Sequence, residues 1–226
     1  ISRVLNGKSQ EFRISDKTRL SILAAAEALS YRPNILARSL RLKKSLTIGL
    51  IVPDIQNPFF GGLAWRIEKL LRERGYSTIL CNTNEVPANE ELYLKVLFDR
   101  QVDGIIIAPV HTREWDPMEA IRRQRSIVLI DRVFFDTDIP WVTSANEAAA
   151  MQMAAELIES GYTEVAFLGG TRETYINTAR YNGFRAGFAA KGLTPDERLI
   201  FFEGYSPEAG EKMMAAALRR KPDIRA

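Results

Sequence analysis

The 226-residue sequence has one cysteine, Cys81, and one histidine, His111. A lone cysteine excludes an internal disulfide, and so few thiol and imidazole groups exclude Cys-rich and multi-His zinc sites. No apolar run approaches the roughly 20 residues that a membrane-spanning helix needs. The N-terminus lacks the charged-then-apolar order of a signal peptide. Among the 14 glycines there is no G-x-G-x-x-G and no G-x-x-x-x-G-K-[ST] phosphate loop; Gly169-Gly170 alone is too little. There is no G-x-S-x-G nucleophile elbow, and no base with an orienting partner stands around His111. An enzyme, a bound metal and a cofactor are therefore not expected. A cytoplasmic protein is the default, although a chain beginning without Met leaves open a removed targeting segment.

What is present begins with charge. Residues 1–45 hold ten Lys/Arg (Arg3, Lys8, Arg13, Lys17, Arg19, Arg32, Arg38, Arg41, Lys43, Lys44) against Glu11, Asp16 and Glu27, a net of +7. The whole chain carries only +3, so the remainder is mildly acidic at −4. A small basic module thus precedes a larger body with a core-forming apolar content of 46%. Such a module suits a polyanion, and a plain solvated basic helix is the competing explanation.

In the basic module, Ser15 is placed to cap a helix running to about Ser30, with Leu20, Ile22, Leu23, Ala26 and Leu29 on one face. Pro33 ends it, because the residue before proline avoids the helical region. Asn34–Leu40 is then a short run of helix formers, too short to persist alone in water. From Leu46 onward, strand-length apolar runs alternate with amphipathic stretches, which predicts βαβ units and a parallel sheet covered on both faces. The strands fall at 47–52, 78–81, 104–108, 127–130, 164–168 and 199–202, with another starting at Ile224. Asn57-Pro58 opens a helix with a stripe of Phe60, Leu63, Ala64, Ile67, Leu70 and Leu71 that ends at Gly75; Asn146 precedes a second helix and Pro207 opens a third. A polar stretch at 134–144 marks a crossover between two doubly wound lobes. The chain is expected to be cut at both ends.

Several stretches match, in order, the LacI/GalR family of bacterial transcription regulators: Ser2-Arg3-Val4-Leu5-Asn6-Gly7, Ser15-Asp16-Lys17-Thr18-Arg19, Tyr31-Arg32-Pro33-Asn34, Ala37-Arg38-Ser39-Leu40, Thr47-Ile48-Gly49-Leu50-Ile51-Val52-Pro53, Asn57-Pro58-Phe59-Phe60, Val102-Asp103-Gly104-Ile105-Ile106 and Arg180-Tyr181-Asn182-Gly183-Phe184. The chain resembles that family over nearly its whole length. The resemblance implies an α/β fold: a partial helix-turn-helix headpiece (1–32), a hinge helix and linker (33–45), and a two-lobed, periplasmic-binding-protein-like domain of doubly wound parallel sheets. The lobes span 46–142 and 143–226, the second incomplete. It further implies a homodimer on double-stranded operator DNA and away from membranes, its affinity set by a small effector.

On that resemblance residues 1–5 are the tail of a recognition helix, and Arg3 stands where an arginine donates two hydrogen bonds to guanine. Ser2, Asn6, Ser15, Thr18 and Tyr31 match positions that approach phosphates. Asn34, Ala37 and Leu40 belong to a hinge helix whose leucine wedges into a minor-groove base step. The competing explanations are a solvent-facing Arg3, a Leu40 packed on the body and a Ser15 that serves only as a cap. The loop between Asn6 and Ser15, with Lys8, Gln10 and Arg13, resembles the fructose- and sucrose-repressor branch.

The resemblance also implies an effector site in the cleft at the carboxyl ends of the strands. Asn57, Phe59 and Phe60 supply an amide beside two rings, suited to a hydroxyl and to the apolar face of a sugar. Asp131 and Arg132 set an acceptor next to a planar donor fork, and Arg180 joins from the second lobe. Against these stand a core role for one phenylalanine, a capping role for Asn57 and mutual pairing of Asp131 with Arg132. Ala145 replaces an acidic residue of many relatives, which leaves one contact open. A sugar or sugar phosphate is the expected effector, with a purine-type molecule as the minor alternative. A periplasmic sugar-binding protein of a transport system remains the rival function; it accounts for the body but not for residues 1–45.

Overall fold

The computed structural model describes residues 1–5, 9–29, 31, 44–110, 126–134 and 137–226. It divides into two compact units, Ile1–Leu46 and Thr47–Ala226. In the first unit, α1 (Ser2–Leu5) is a single turn and α2 (Asp16–Ala28) a 13-residue helix. The Ser15 hydroxyl accepts from the Thr18 amide at 3.3 Å, the expected cap, and Arg19 pairs with Asp16 at 3.1 Å. Of the apolar residues expected on one face of α2, Ile22 and Ala26 are half-buried, while Leu20, Leu23 and Leu29 are exposed. The hinge-helix residues Asn34, Ala37 and Leu40, together with Asn6 and His111, lie outside the described residues.

The second unit begins with a five-stranded parallel sheet of order β2-β1-β3-β4-β5. Its strands are β1 (Thr47–Val52), β2 (Ser77–Asn82), β3 (Gly104–Ile107), β4 (Ser126–Ile130) and β5 (Trp141–Val142). Alternate residues of a strand face opposite sides, so β1 feeds two cores. Ile51 packs with Leu97, Ile105, Ile127 and Leu129 beneath α4 (Pro87–Asp99). Leu50 and Val52 pack with Phe60, Ala64 and Ile130 beneath α3 (Pro58–Glu73). The strand order reverses at β1/β3, and that reversal opens a crevice at the carboxyl ends of the strands. Gly75, at φ 79°, closes α3 with bonds from Tyr76 N to Leu71 O (2.9 Å) and Gly75 N to Arg72 O (3.0 Å).

The second lobe pairs β6 (Phe167–Gly169) with β7 (Ile200–Phe202), both parallel, flanked by α5 (Asn146–Glu159), α6 (Tyr175–Ala190) and α7 (Pro207–Arg220). The expected strands here are shorter than the apolar runs. None forms at Ile224, where a single bond from Ala166 N reaches Ala226 O at 2.9 Å. The crossover 134–144 holds β5, a strand that two residues and no visible alternation could not announce. Helices α5 and α6 touch backbone to backbone at Gly183 and Gly187: a Cβ on Gly183 would lie 2.1 Å from Glu147 O, and one on Gly187 2.6 Å from Met151 O. No helix among the described residues is long and apolar enough to cross a membrane.

Candidate functional site

The loop after β1 carries the first cleft residues. Asn82, at the end of β2, accepts from Ile55 N at 2.8 Å, and Asp54 accepts from Gln56 N at 2.9 Å, so the loop reaches Asn57 in fixed form. The Asn57 side chain accepts from Phe59 N at 3.0 Å, so its capping role is real. The two phenylalanines then separate: Phe60 is 4% exposed and in the core, Phe59 is 51% exposed, and their rings meet edge to face at 5.0 Å.

Asp131 follows β4 with φ 60°, a strained setting that an Asp tolerates better than most residues. Arg132 N bonds back to Ile130 O at 2.7 Å, making a tight three-residue turn. Strand β5 and its neighbour hold that turn: Asp131 N donates to Val142 O at 2.8 Å, and the Thr143 hydroxyl donates to Asp131 O at 2.7 Å. Burial pushes the Asp131 carboxyl up from its ordinary pKa, and the charges of Arg132 and Arg180 act in the opposite direction.

Arg132 does not pair with Asp131 as one reading of the sequence allowed. Its two terminal nitrogens fork onto Glu85 at 2.6 Å each. The guanidinium lies 5.5 Å from the Phe60 ring and 5.2 Å from the Tyr205 ring, so one ring from each lobe flanks it. The Tyr205 hydroxyl is tied to Thr174 Oγ1 at 3.1 Å.

Arg180, on the second turn of α6, donates from Nε to Asn146 Oδ1 at 2.8 Å. Asn146 is the first residue of α5 and not its cap, which is Ala145 with no side-chain bond. The Asn146 amide instead donates to Thr143 Oγ1 (3.2 Å) and Ser144 O (3.0 Å). A chain of bonds therefore runs from Arg180 through Asn146 and Thr143 to the backbone of Asp131, joining the second lobe to the first.

All six residues expected for the effector site, Asn57, Phe59, Phe60, Asp131, Arg132 and Arg180, line one open cavity of about 300 Å³. Ser144, Ile176 and Tyr205 complete its wall. Tyr205 was missed in the sequence because it follows a three-residue strand with no periodicity to mark it; its one signal was an aromatic placed just before the Ser206 cap. The cavity offers donors, an acceptor and aromatic faces, the equipment for a small polyhydroxylated molecule. In the basic unit, Arg3 lies 3.9 Å over the Phe12 ring, Thr18 is exposed beside its Ser15 partner, and Tyr31 is 53% exposed. Ser2 stands in the same one-turn helix as Arg3.

Residues 45–226 match the profile of periplasmic binding proteins and the sugar-binding domain of the LacI family. The chain is similar to the sucrose operon repressor of Klebsiella pneumoniae, with 34% identity over 97% of this chain and 65% of that protein. It is also 34% identical to catabolite control protein A of Priestia megaterium, over 93% of this chain and 63% of the relative. The chain thus spans somewhat under two thirds of the length of these curated relatives. The crystal structure of the transcription regulator CcpA of Lactococcus lactis superposes on 77% of the chain and 65% of its own length, with a TM-score of 0.72 and 27% identity. A parallel α/β body with its cleft residues in this arrangement, a family profile over most of the chain and relatives of this identity lead to one assignment: the chain belongs to the LacI family.

Proposed function

We propose that the chain serves a sequence-specific, DNA-binding transcription regulator, acting as a repressor, whose operator affinity is set by a sugar or sugar phosphate in the interlobe cleft. The observation that carries this reading is the convergence of Asp131, Arg132, Arg180, Asn57 and the rings of Phe59, Phe60 and Tyr205 on one cavity. Rings cover the C–H face of a sugar while amide, carboxylate and guanidinium groups take its hydroxyls. A relative named for a sucrose operon is consistent with that chemistry. The net +7 of residues 1–45 supports DNA over transport, since a carrier has no use for a polyanion-binding module.

In this reading residues 1–32 belong to the headpiece, 33–45 to the hinge, and 46–142 and 143–226 to the two lobes. Arg3 reads a guanine, Ser2, Asn6, Ser15, Thr18 and Tyr31 hold phosphates, and Asn34, Ala37 and Leu40 enter the minor groove between paired hinges of a homodimer. Effector closure of the lobes changes hinge spacing, and the coupling between sugar and operator is reciprocal, typically about 1–3 kcal/mol. A gel-shift titration of the complete gene product on its own promoter, with and without each sugar of a panel, tests the proposal. One sugar should shift the operator affinity by about 5–150-fold. Absence of promoter binding under all conditions refutes it.

A further inference from the structure

The pair between Glu85 and Arg132 bears on which effectors the cleft accepts. Glu85 sits in the turn between β2 and α4, where Asn84 and Glu85 have φ values of 54° and 58°. This unusual backbone is held by Glu85 N donating to Pro53 O at 3.1 Å and by Val86 N donating to Thr83 O at 3.1 Å. It presents the carboxylate to Arg132, whose side chain is only 11% exposed while that of Glu85 is 45% exposed. Both carboxylate oxygens are engaged, one on each terminal nitrogen of the guanidinium.

Such a fork is the geometry with which an arginine clamps a phosphate. Here it is already filled. The Phe60 and Tyr205 rings lie 5.5 and 5.2 Å from the same guanidinium. Among the described residues that line the cavity or pair with its wall, Arg132 and Arg180 stand against Glu85 and Asp131. A phosphate ester that binds through Arg132 must expel Glu85 from it, and one that binds through Arg180 alone still brings its charge near Asp131. An uncharged sugar needs neither, because Asp131 accepts from its hydroxyls and the guanidinium N–H groups outside the fork donate to them.

We propose that Glu85 acts as a built-in counter-anion that makes this cleft select an uncharged sugar over the phosphorylated form of the same sugar. The inference rests on the sugar-cleft reading above. It assigns the specificity to a residue outside the cavity wall that meets the ligand only through Arg132.

Calorimetric titration of the complete gene product with matched pairs of free sugar and phosphate ester, using fructose, ribose and glucose, tests it in wild type, Glu85→Gln and Arg180→Ala. Glu85→Gln keeps the size of the side chain but removes the counter-charge and one of the two acceptors of the fork. Wild type should bind one free sugar at least about tenfold more tightly than its ester, and Glu85→Gln should erase most of that ratio by improving the ester. Two results overturn the selectivity alone: a wild type that binds an ester as tightly as its free sugar, or a Glu85→Gln chain with an unchanged ratio. If no sugar or ester binds wild type, or if Arg180→Ala binds as wild type does, the sugar-cleft reading fails and the selectivity falls with it.

Discussion

Replacing Gly183 by alanine puts the tightest joint of the second lobe to the test. The new Cβ would lie 2.1 Å from Glu147 O, 2.9 Å from the carbonyl carbon and 3.0 Å from Ala150 Cβ. Carbon–oxygen contacts are comfortable from about 3.3 Å, so α5 and α6 must part by roughly 1 Å. No rotamer change relieves a clash with backbone, and overpacking of this kind costs about 1–3 kcal/mol. Against it stands the helix propensity of alanine, worth about 1 kcal/mol over glycine. A backbone contact more than about 1 Å too short belongs to the upper part of that range, about 2–3 kcal/mol, so the clash should win by about 1–2 kcal/mol, a fall of roughly 2–8 °C in Tm for a chain of this size. Gly210 on α7 supplies the control, because nothing lies within 4 Å of its would-be Cβ. There the propensity term acts alone and alanine should raise Tm by a few degrees. Thermal melts followed by circular dichroism give both values. A Gly183→Ala chain that melts at or above wild type would refute the close-packed joint. The same separation should loosen the 2.8 Å bond from Arg180 to Asn146, whose partners stand on the two helices.

Leu97 is fully buried against Ile51, Ile105 and Leu129, so Leu97→Ala should cost about 2–5 kcal/mol in urea denaturation; a loss under about 1 kcal/mol would mean that this face of the sheet is loosely packed. Asp131 has its folded pKa raised above the ordinary 3.8, chiefly by burial. Its proton is held more tightly in the folded chain, so its stabilising contribution is complete below about 3.8 and is lost as pH rises through the folded value. Asp131→Asn, which tolerates the same φ, should therefore gain stability over wild type as pH rises from acid to neutral in ligand-free melts. A wild-type advantage that grows toward neutral pH would contradict that sign.

The sheet was legible because β1, β3 and β4 are continuous apolar runs, the mark of strands covered on both faces, and because Asn57-Pro58 and Gly75 bracket α3 with unambiguous chemistry. Strand β5 was not, since two residues carry no period. Asn57, Asp131 and Arg132 sit in loops at strand ends and Phe59, Phe60 and Arg180 in the opening turns of helices, and it was the resemblance to the family that nominated them. What the resemblance could not give was their partners. Glu85 is 47 positions from Arg132 and lies in a turn with positive φ at two residues that are not glycine. Asn146 looked like a cap by its place before an alanine-rich run, but a side chain that bonds Arg180 and Thr143 across the lobes is decided by tertiary contact. The apolar residues of α2 do not gather on one face, since Leu20 and Leu29, nine positions apart, point to opposite sides of a regular helix, and none of the helix is buried.

The most direct test of the account is whether the cavity between the lobes binds a sugar through Arg180. Thermal denaturation of the complete gene product should be run with a panel of free sugars and phosphate esters, for wild type and Arg180→Ala. A ligand at a hundredfold excess over its Kd stabilises wild type by about 2.7 kcal/mol, roughly 5–10 °C here. The account predicts that at least one sugar produces that shift and that Arg180→Ala abolishes it while leaving the ligand-free Tm within a few degrees. A shift of equal size in the variant, or none in wild type with any member of the panel, would contradict it.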